Sequence, residues 1–107
     1  MEHRLLYITA GSAEEAARLA RALVEERLVA CANVLPGITS FYWWEGAVQE
    51  EGEVALFAKT PADRVEAVIA RVKALHSYSC PCVVALPILG GNPDFLAWIG
   101  AEAQARG

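Results

Sequence analysis

Apolar residues along this 107-residue chain recur with two different periods, and the changes of period mark the predicted elements. Residues 5–10 (LLYITA) form a short apolar run that ends at Gly11 and predicts a buried strand. Ser12 followed by Glu15 is a capping box, which predicts that a helix begins there. Beyond it, apolar residues return at spacings of three and four, as on one buried helix face. These residues are Ala16, Leu19, Ala20, Leu23, Val24 and Leu28.

The longest predicted β region runs from residue 32 to residue 59 and folds back at Glu45-Gly46. Glycine supplies the positive φ that a two-residue hairpin turn needs. At roughly 3.3 Å per residue, the first strand of this hairpin would extend about 40 Å, twice the usual length. Pro36-Gly37 interrupts it, and because proline cannot donate to a ladder, a bulge or a bend is expected there. The pattern therefore predicts a long, interrupted hairpin.

The second half of the chain contains two more predicted helices and one more strand. Residues 60–63 (TPAD) predict a helix start, with Thr60 as the cap and Pro61 at the first helical position. This helix should end near His76 and bury a stripe of Val65, Val68, Ile69, Val72 and Leu75. Residues 83–86 predict a short strand closed by Pro87, and residues 92–94 (NPD) open a last helix.

The resulting order, β-α-β-β-α-β with an extra C-terminal helix, is the split βαβ pattern of the ferredoxin-like fold. This α+β fold has a four-stranded antiparallel sheet with helices on one face. Right-handed crossovers place the first and third strands at the centre of the sheet. Because no linker or repeat divides the chain, residues 1–107 are predicted to form a single domain. The helices leave the second face of the sheet to be covered by something else.

The tip of the predicted hairpin carries four of the nine aromatic residues side by side: Phe41, Tyr42, Trp43 and Trp44. Successive side chains of a strand point to opposite faces, so both faces of the tip are aromatic. A base-stacking platform is one interpretation, but the acidic residues of the returning strand and the net charge of −4 argue against it. Trp and Tyr are enriched in protein interfaces, so we expect these four residues to lie between copies of the chain.

Composition supports that expectation and limits the partners. Hydrophobic residues make up 55% of the chain and the mean hydropathy is +0.30, a surplus that must be buried in a core or an interface. No basic block occurs, so neither nucleic acid nor an anionic membrane is an expected partner. No apolar run is long enough for a membrane span, and no signal peptide is evident. With an odd number of cysteines, a cytoplasmic chain with reduced thiols is expected.

Four residues could supply metal-binding chemistry: Cys31, His76, Cys80 and Cys82. Thiolates and imidazole suit Cu(I) and Zn(II). The alternatives remain open, because free cysteines are often small buried apolar residues and a histidine at a helix end can cap carbonyl groups. Cys80 and Cys82 lack zinc-knuckle spacing and would lie about 7 Å apart in an extended segment. No nucleophile, phosphate-loop or metalloprotease motif occurs, so an enzyme is not expected.

Several segments together resemble the CutA divalent-cation tolerance family. The matching residues are Ala30–Val34, Pro36–Ile38, Ser40, Tyr42–Gly46, Glu53, Lys59, Thr60, His76, Tyr78, Pro81, Pro87, Ile88, Gly91, Asn92, Leu96 and Trp98. The resemblance implies a ferredoxin-like subunit and a homotrimer built by pairing of long strands between subunits. It also implies a role in tolerance to divalent metals, copper above all, with no obligatory cofactor and a capacity to bind copper or another divalent cation.

One segment departs from the family pattern. Where the family has His-Pro-Tyr-Glu-Val-Pro-Glu, residues 76–82 read HSYSCPC, so Ser79 and Cys82 replace both glutamates. A hard oxygen ligand is lost there and a soft sulfur ligand is gained. Our first hypothesis is a non-catalytic homotrimeric metal-tolerance protein. The alternatives are a PII-like trimeric sensor that binds a small anionic ligand in the cleft between subunits, and a structural trimer that acts through a protein partner.

Overall fold

The computed structural model describes residues 2–104 of the chain. Its elements in chain order are β1 (His3–Ala10), α1 (Ala13–Glu25), β2 (Cys31–Trp44), β3 (Ala47–Pro61), α2 (Val65–Leu75), β4 (Val83–Ile88) and α3 (Pro93–Glu102). The four strands form one antiparallel sheet in the order β2-β3-β1-β4. This arrangement confirms the predicted α+β fold, with the first and third strands at the centre.

One face of the sheet carries the main core, under α1 and α2. The largest buried side chains there come from both layers and are fully enclosed: Leu6, Ile8, Leu19, Leu23, Leu56, Val68 and Val72. The predicted cap of α1 is confirmed, because the Ser12 hydroxyl accepts a hydrogen bond from the Glu15 N–H at 3.1 Å. The cap places the start of α1 directly after the end of β1.

The hairpin formed by β2 and β3 extends beyond the rest of the sheet. Strand β1 pairs with residues 54–61 of β3, whereas β2 pairs with β3 from Cys31 to the turn. The register shifts between Leu35 and Ile38, which confirms the predicted bulge. At the turn, Glu45 and Gly46 both have positive φ, 51° and 79°, as a type I′ turn requires.

Two predicted boundaries are wrong. Thr60 and Pro61 do not open a helix: they end β3, paired with Arg4 and His3, and the Thr60 hydroxyl donates to the Leu28 carbonyl at 2.7 Å. Ladder pairing with β1 overrides the local capping signal, and α2 begins only at residue 65, after a 3-10 turn at residues 62–64.

The second wrong boundary is the end of the fourth strand, because β4 continues through Pro87 to Ile88. Since β4 is an edge strand, a missing N–H can face away from the neighbouring strand without loss of a ladder bond. The last helix, α3, has the predicted Asn92 cap, whose side-chain oxygen accepts the Asp94 N–H at 3.1 Å. Ile99 of this helix packs against Ala30, and Ile88 borders the same cluster.

The face of the sheet opposite the main core retains exposed apolar side chains. Residues opposite one another in antiparallel strands share a face, so Tyr7, Phe57 and Val84 lie there together. The rings of Tyr7 and Phe57 are 5.4 Å apart. Leu35 on β2 belongs to the same face and is 52% exposed. This face, opposite α1 and α2, is the second apolar surface of the chain, beside the hairpin tip; α3 approaches it at Ile88, where the strands end.

Candidate functional site

A buried carboxylate organises the residues that follow α2. The Glu15 side chain, only 8% exposed, accepts hydrogen bonds from the Ser77 N–H at 2.7 Å and from the Ser77 hydroxyl at 2.9 Å. It also accepts the Gly11 N–H at 3.4 Å. Glu15 thus belongs to the predicted capping box, but its carboxylate mainly holds the turn at residues 76–78 against the start of α1.

These bonds determine the charge state of Glu15. Burial by itself would raise the pKa of this carboxyl. The hydrogen bonds from Ser77 and Gly11 outweigh burial and hold the pKa of Glu15 below its ordinary value. The folded chain therefore favours an ionised Glu15.

His76 is buried at the end of α2, with both ring nitrogens engaged. Nε2 lies 2.7 Å from the Thr9 carbonyl oxygen, which can only accept, so Nε2 carries the proton. Nδ1 then accepts the Tyr78 N–H at 3.0 Å. The His76 backbone N–H donates to the Val72 carbonyl at 2.8 Å, so the residue ends the helix through its main chain. A metal ion at this ring would have to displace one of these partners.

Tyr78 connects this turn to the base of the hairpin. Its hydroxyl donates to the Glu53 carboxylate at 2.9 Å, and its ring packs on His76 with the centroids 4.6 Å apart. Burial raises the pKa of the Tyr78 phenol, and the hydrogen bond to Glu53 raises it further. Gly11 makes room for the ring, because a Cβ there would lie 3.2 Å from the Tyr78 hydroxyl.

The three cysteines are free thiols in different surroundings. Cys82 is half-buried and immediately precedes Val83, the first residue of β4. Because Val83 pairs with Ile8, Cys82 lies beside Thr9. Burial raises the pKa of the Cys82 thiol, the nearby Thr9 side chain opposes this, and the charge of Glu53 adds to it. Cys80 is exposed.

Cys31 occupies another part of the sheet. Its sulfur is 3.8 Å from the Lys59 Nζ, which also donates to the Asn33 side-chain oxygen at 2.9 Å. Cys31 pairs with Lys59, which in turn pairs with Leu5 of β1, whereas Cys82 is level with Thr9. Leu5 and Thr9 are four residues apart, so Cys31 and Cys82 are separated by about 13 Å along the strands.

The structure therefore brings His76 and Cys82 to Thr9, while Cys31 lies apart from them. Within residues 2–104, no three His, Cys, Asp or Glu side chains form a group that could hold a metal ion. Glu15 had no sequence signal beyond its capping spacing, and Glu53 and Tyr78 appeared only as residues of the family pattern.

The aromatic tip of the hairpin is open to solvent in the single chain. Trp43 is 74% exposed and Phe41 is 66% exposed, while Trp44 and Tyr42 are also exposed. Tyr42 has a raised pKa, because desolvation, the neighbouring Glu51 and the charge of Glu53 disfavour the phenolate. The charge of Glu53 thus acts on the tyrosine of the tip, while its carboxylate accepts the Tyr78 hydroxyl of the turn.

These features define a class of protein: a ferredoxin-like α+β subunit with a protruding aromatic hairpin and a polar network around the turn after its second helix. The family described as "CutA1 divalent ion tolerance protein" matches residues 4–102. The chain belongs to this family.

Individual relatives agree with that assignment. The divalent-cation tolerance protein CutA of Archaeoglobus fulgidus is 47% identical over 102 residues, which cover 95% of this chain and 99% of the relative. The structure of the Thermus thermophilus divalent cation tolerance protein superposes with a TM-score of 0.93 at 45% identity, covering 95% of this chain and 99% of that one. Oryza sativa CutA1 gives a TM-score of 0.95 at 40% identity, covering 99% and 97%. Among residues 2–104, no helix has the length and apolarity to cross a membrane.

Proposed function

We propose that this protein confers tolerance to divalent metals, copper above all, as a non-catalytic homotrimer that binds copper or another divalent cation. The family match across residues 4–102 is the observation that carries the tolerance role. Free thiols supply the donor chemistry for copper, since sulfur ligands are soft. Because those thiols must stay reduced to bind metal, we place the protein in the cytoplasm, without nucleic acid or membrane as a partner.

The trimer is supported by the surfaces that one chain leaves uncovered. The hairpin tip and the sheet face opposite α1 and α2 both expose large apolar side chains, Trp43 and Leu35 among them. Residues 47–53 of β3 pair with β2 but not with β1, so one edge of this segment is open within the described chain. Open strand edges beside apolar surface favour pairing with another copy. A second and a third subunit would cover both features.

A growth assay under metal stress tests the tolerance role. A bacterial strain that lacks its own member of the family is challenged with graded Cu(II), with and without this protein, and with Mg(II) as the control cation. We expect a higher copper threshold only when the protein is present. An unchanged threshold at matched expression would refute the proposed role. Sedimentation equilibrium tests the assembly separately, by distinguishing one 11.5 kDa chain from three.

One observation favours a second candidate, a PII-like sensor of a small anionic ligand. The ammonium group of Lys59 is held by Asn33 on the sheet face opposite α1 and α2, where an assembly would form clefts. A cation in such a cleft could bind a carboxylate or a phosphate. A thermal-shift screen with nucleotides and organic anions, repeated with Lys59→Met, tests this candidate. A stabilising anion whose effect is lost in Lys59→Met would favour the sensor over the metal-tolerance protein.

A further inference from the structure

We propose that Cys80 and Cys82 form a two-thiolate site for a soft monovalent cation of the Cu(I) class. The inference rests on the proposed metal role and narrows it. The ligands lie on one segment, residues 79–82, in which Cys80 is exposed and Cys82 is half-buried. A soft ion that needs only two donors takes the place of a hard divalent ion.

The other two candidate ligands, His76 and Cys31, are not placed to share an ion with Cys82. Both ring nitrogens of His76 are hydrogen-bonded within the chain, to Thr9 and to Tyr78. Cys31 lies beside Lys59, about 13 Å along the strands from the row of Cys82. One ion on a single chain cannot be shared between Cys31 and Cys82 at this separation. Cys80 and Cys82 therefore remain as a pair of neighbouring soft donors on one segment.

The segment that carries the two thiols is held on both sides by the rest of the fold. On its N-terminal side, Ser77 is bound to Glu15 and Tyr78 is bound to Glu53. On its C-terminal side, β4 begins at residue 83 in register with Ile8. The chain bends at residues 77–80 and is neither helix nor strand through residue 82, so no ladder pairing fixes the two cysteines at the separation of an extended strand. Anchored ends lower the conformational cost of bringing two thiolates onto one ion.

The number and type of donor atoms favour Cu(I) over zinc and over hard divalent ions. Zinc normally takes four ligands, and hard divalent ions take six or more oxygen atoms. No convergent group of three His, Cys, Asp or Glu side chains occurs within residues 2–104. Thiolates select Cu(I), and Cu(I) accepts linear coordination by two sulfur atoms. On binding, each thiol transfers its proton to solvent and each sulfur donates a lone pair, so no electron is transferred and no oxidant is needed.

The test is an anaerobic competition titration of the reduced full-length protein with Cu(I) and a chromophoric Cu(I) chelator. We expect one tightly bound ion per chain and the release of protons on binding. Loss of an outer-shell partner typically weakens metal binding by about 10–100-fold. Cys80→Ser removes a direct ligand at an exposed position, so it should weaken Cu(I) binding by more than about 100-fold. Cys31→Ser is the matched control and should leave binding unchanged.

Cys82 is half-buried, so Cys82→Ser is interpreted only alongside circular dichroism and sedimentation that match the unmodified protein. Cys80→Ser decides the question in either case, because its side chain is exposed. Unchanged Cu(I) affinity in Cys80→Ser, or loss of binding in Cys31→Ser, would overturn the assignment. The two proposals fail differently: absence of any growth advantage from the unmodified protein refutes metal tolerance, whereas this titration measures binding alone.

Discussion

Glu15→Ala is the substitution that most directly tests whether the buried carboxylate holds the turn after α2. The substitution removes the acceptor for the Ser77 N–H and hydroxyl, at 2.7 and 2.9 Å, and for the more distant Gly11 N–H. It leaves the Ser12 cap in place, because the Glu15 backbone N–H, not its side chain, donates to Ser12. The expected loss of stability therefore reports on the link between α1 and the turn.

The size of this loss follows from the kind of hydrogen bond. A bond to a charged group contributes about 1.5–3 kcal/mol, and an unsatisfied buried partner costs a similar amount. Water can reach Ser77, which is exposed, so the costs do not add fully. We expect Glu15→Ala to lower the free energy of unfolding by about 2–3 kcal/mol. Glu14→Ala, one residue earlier on the exposed side of the same helical turn, should cost about 0.5 kcal/mol or less.

The assay is guanidinium unfolding followed by far-ultraviolet circular dichroism at equal protomer concentration, since assembly makes stability concentration-dependent. The pKa of Glu15 is lowered in the folded chain, so its contribution is complete above the ordinary value of 4.5 and is lost as pH falls through the folded pKa. The difference between the two variants should be full at pH 7 and should shrink below about pH 4.5. Equal stability of Glu15→Ala and Glu14→Ala at pH 7 would refute the role assigned to this carboxylate.

Four further substitutions test the hairpin and its base. Tyr78→Phe removes the donor to Glu53 and should cost about 1.5–3 kcal/mol in the same unfolding assay, and a cost below about 0.5 kcal/mol would show that the bond contributes little. Glu45→Asn should stabilise the chain by about 0.5–1 kcal/mol, because asparagine tolerates the positive φ of this turn position better than glutamate does. A loss of stability in Glu45→Asn would contradict this explanation. Trp43→Ala and Trp44→Ala should each weaken the proposed trimer by about 3–5 kcal/mol in sedimentation, the cost of truncating a buried aromatic residue. A trimer of unchanged stability would show that the tip is not buried.

Elements with strong periodic or capping signals could be predicted from the sequence. The α1 helix has both, with a serine cap and an apolar stripe. The structure confirms the cap and buries Ala16, Leu19 and Leu23, but Val24 is exposed and Leu28 lies beyond the end of the helix. The prediction of the hairpin turn rests on Gly46 alone, although Glu45 adopts the same left-handed conformation without being a residue type that favours it.

The wrong boundary at Thr60 shows where local signals stop being sufficient. Thr60 and Pro61 have the composition of a helix start, but they also complete the ladder of β3 with the first residues of β1. Long-range pairing decided between two locally acceptable conformations. A single sequence contains no measure of that competition, because the partner residues lie almost sixty positions away.

The polar network was hidden for a related reason. Glu15, Ser77 and Tyr78 are ordinary in their local contexts, and their roles come from contacts across the fold. Cys80 and Cys82 were visible as potential soft ligands, but the anchoring of their segment by the residues before it was not. The pattern could therefore identify the donor atoms, while the arrangement that holds them required the structure.

Glu53 joins the two regions that the sequence pattern treated as separate. It lies one residue beyond the part of β3 that pairs with β1, where the hairpin leaves the sheet. There its carboxylate accepts the Tyr78 hydroxyl from the turn, and its charge acts on both Tyr42 of the hairpin and Cys82. Tyr78 immediately precedes the segment with Cys80 and Cys82. A conformational change of that segment that displaces Tyr78 must therefore also disturb the hydrogen bond between Tyr78 and Glu53 at the base of the hairpin.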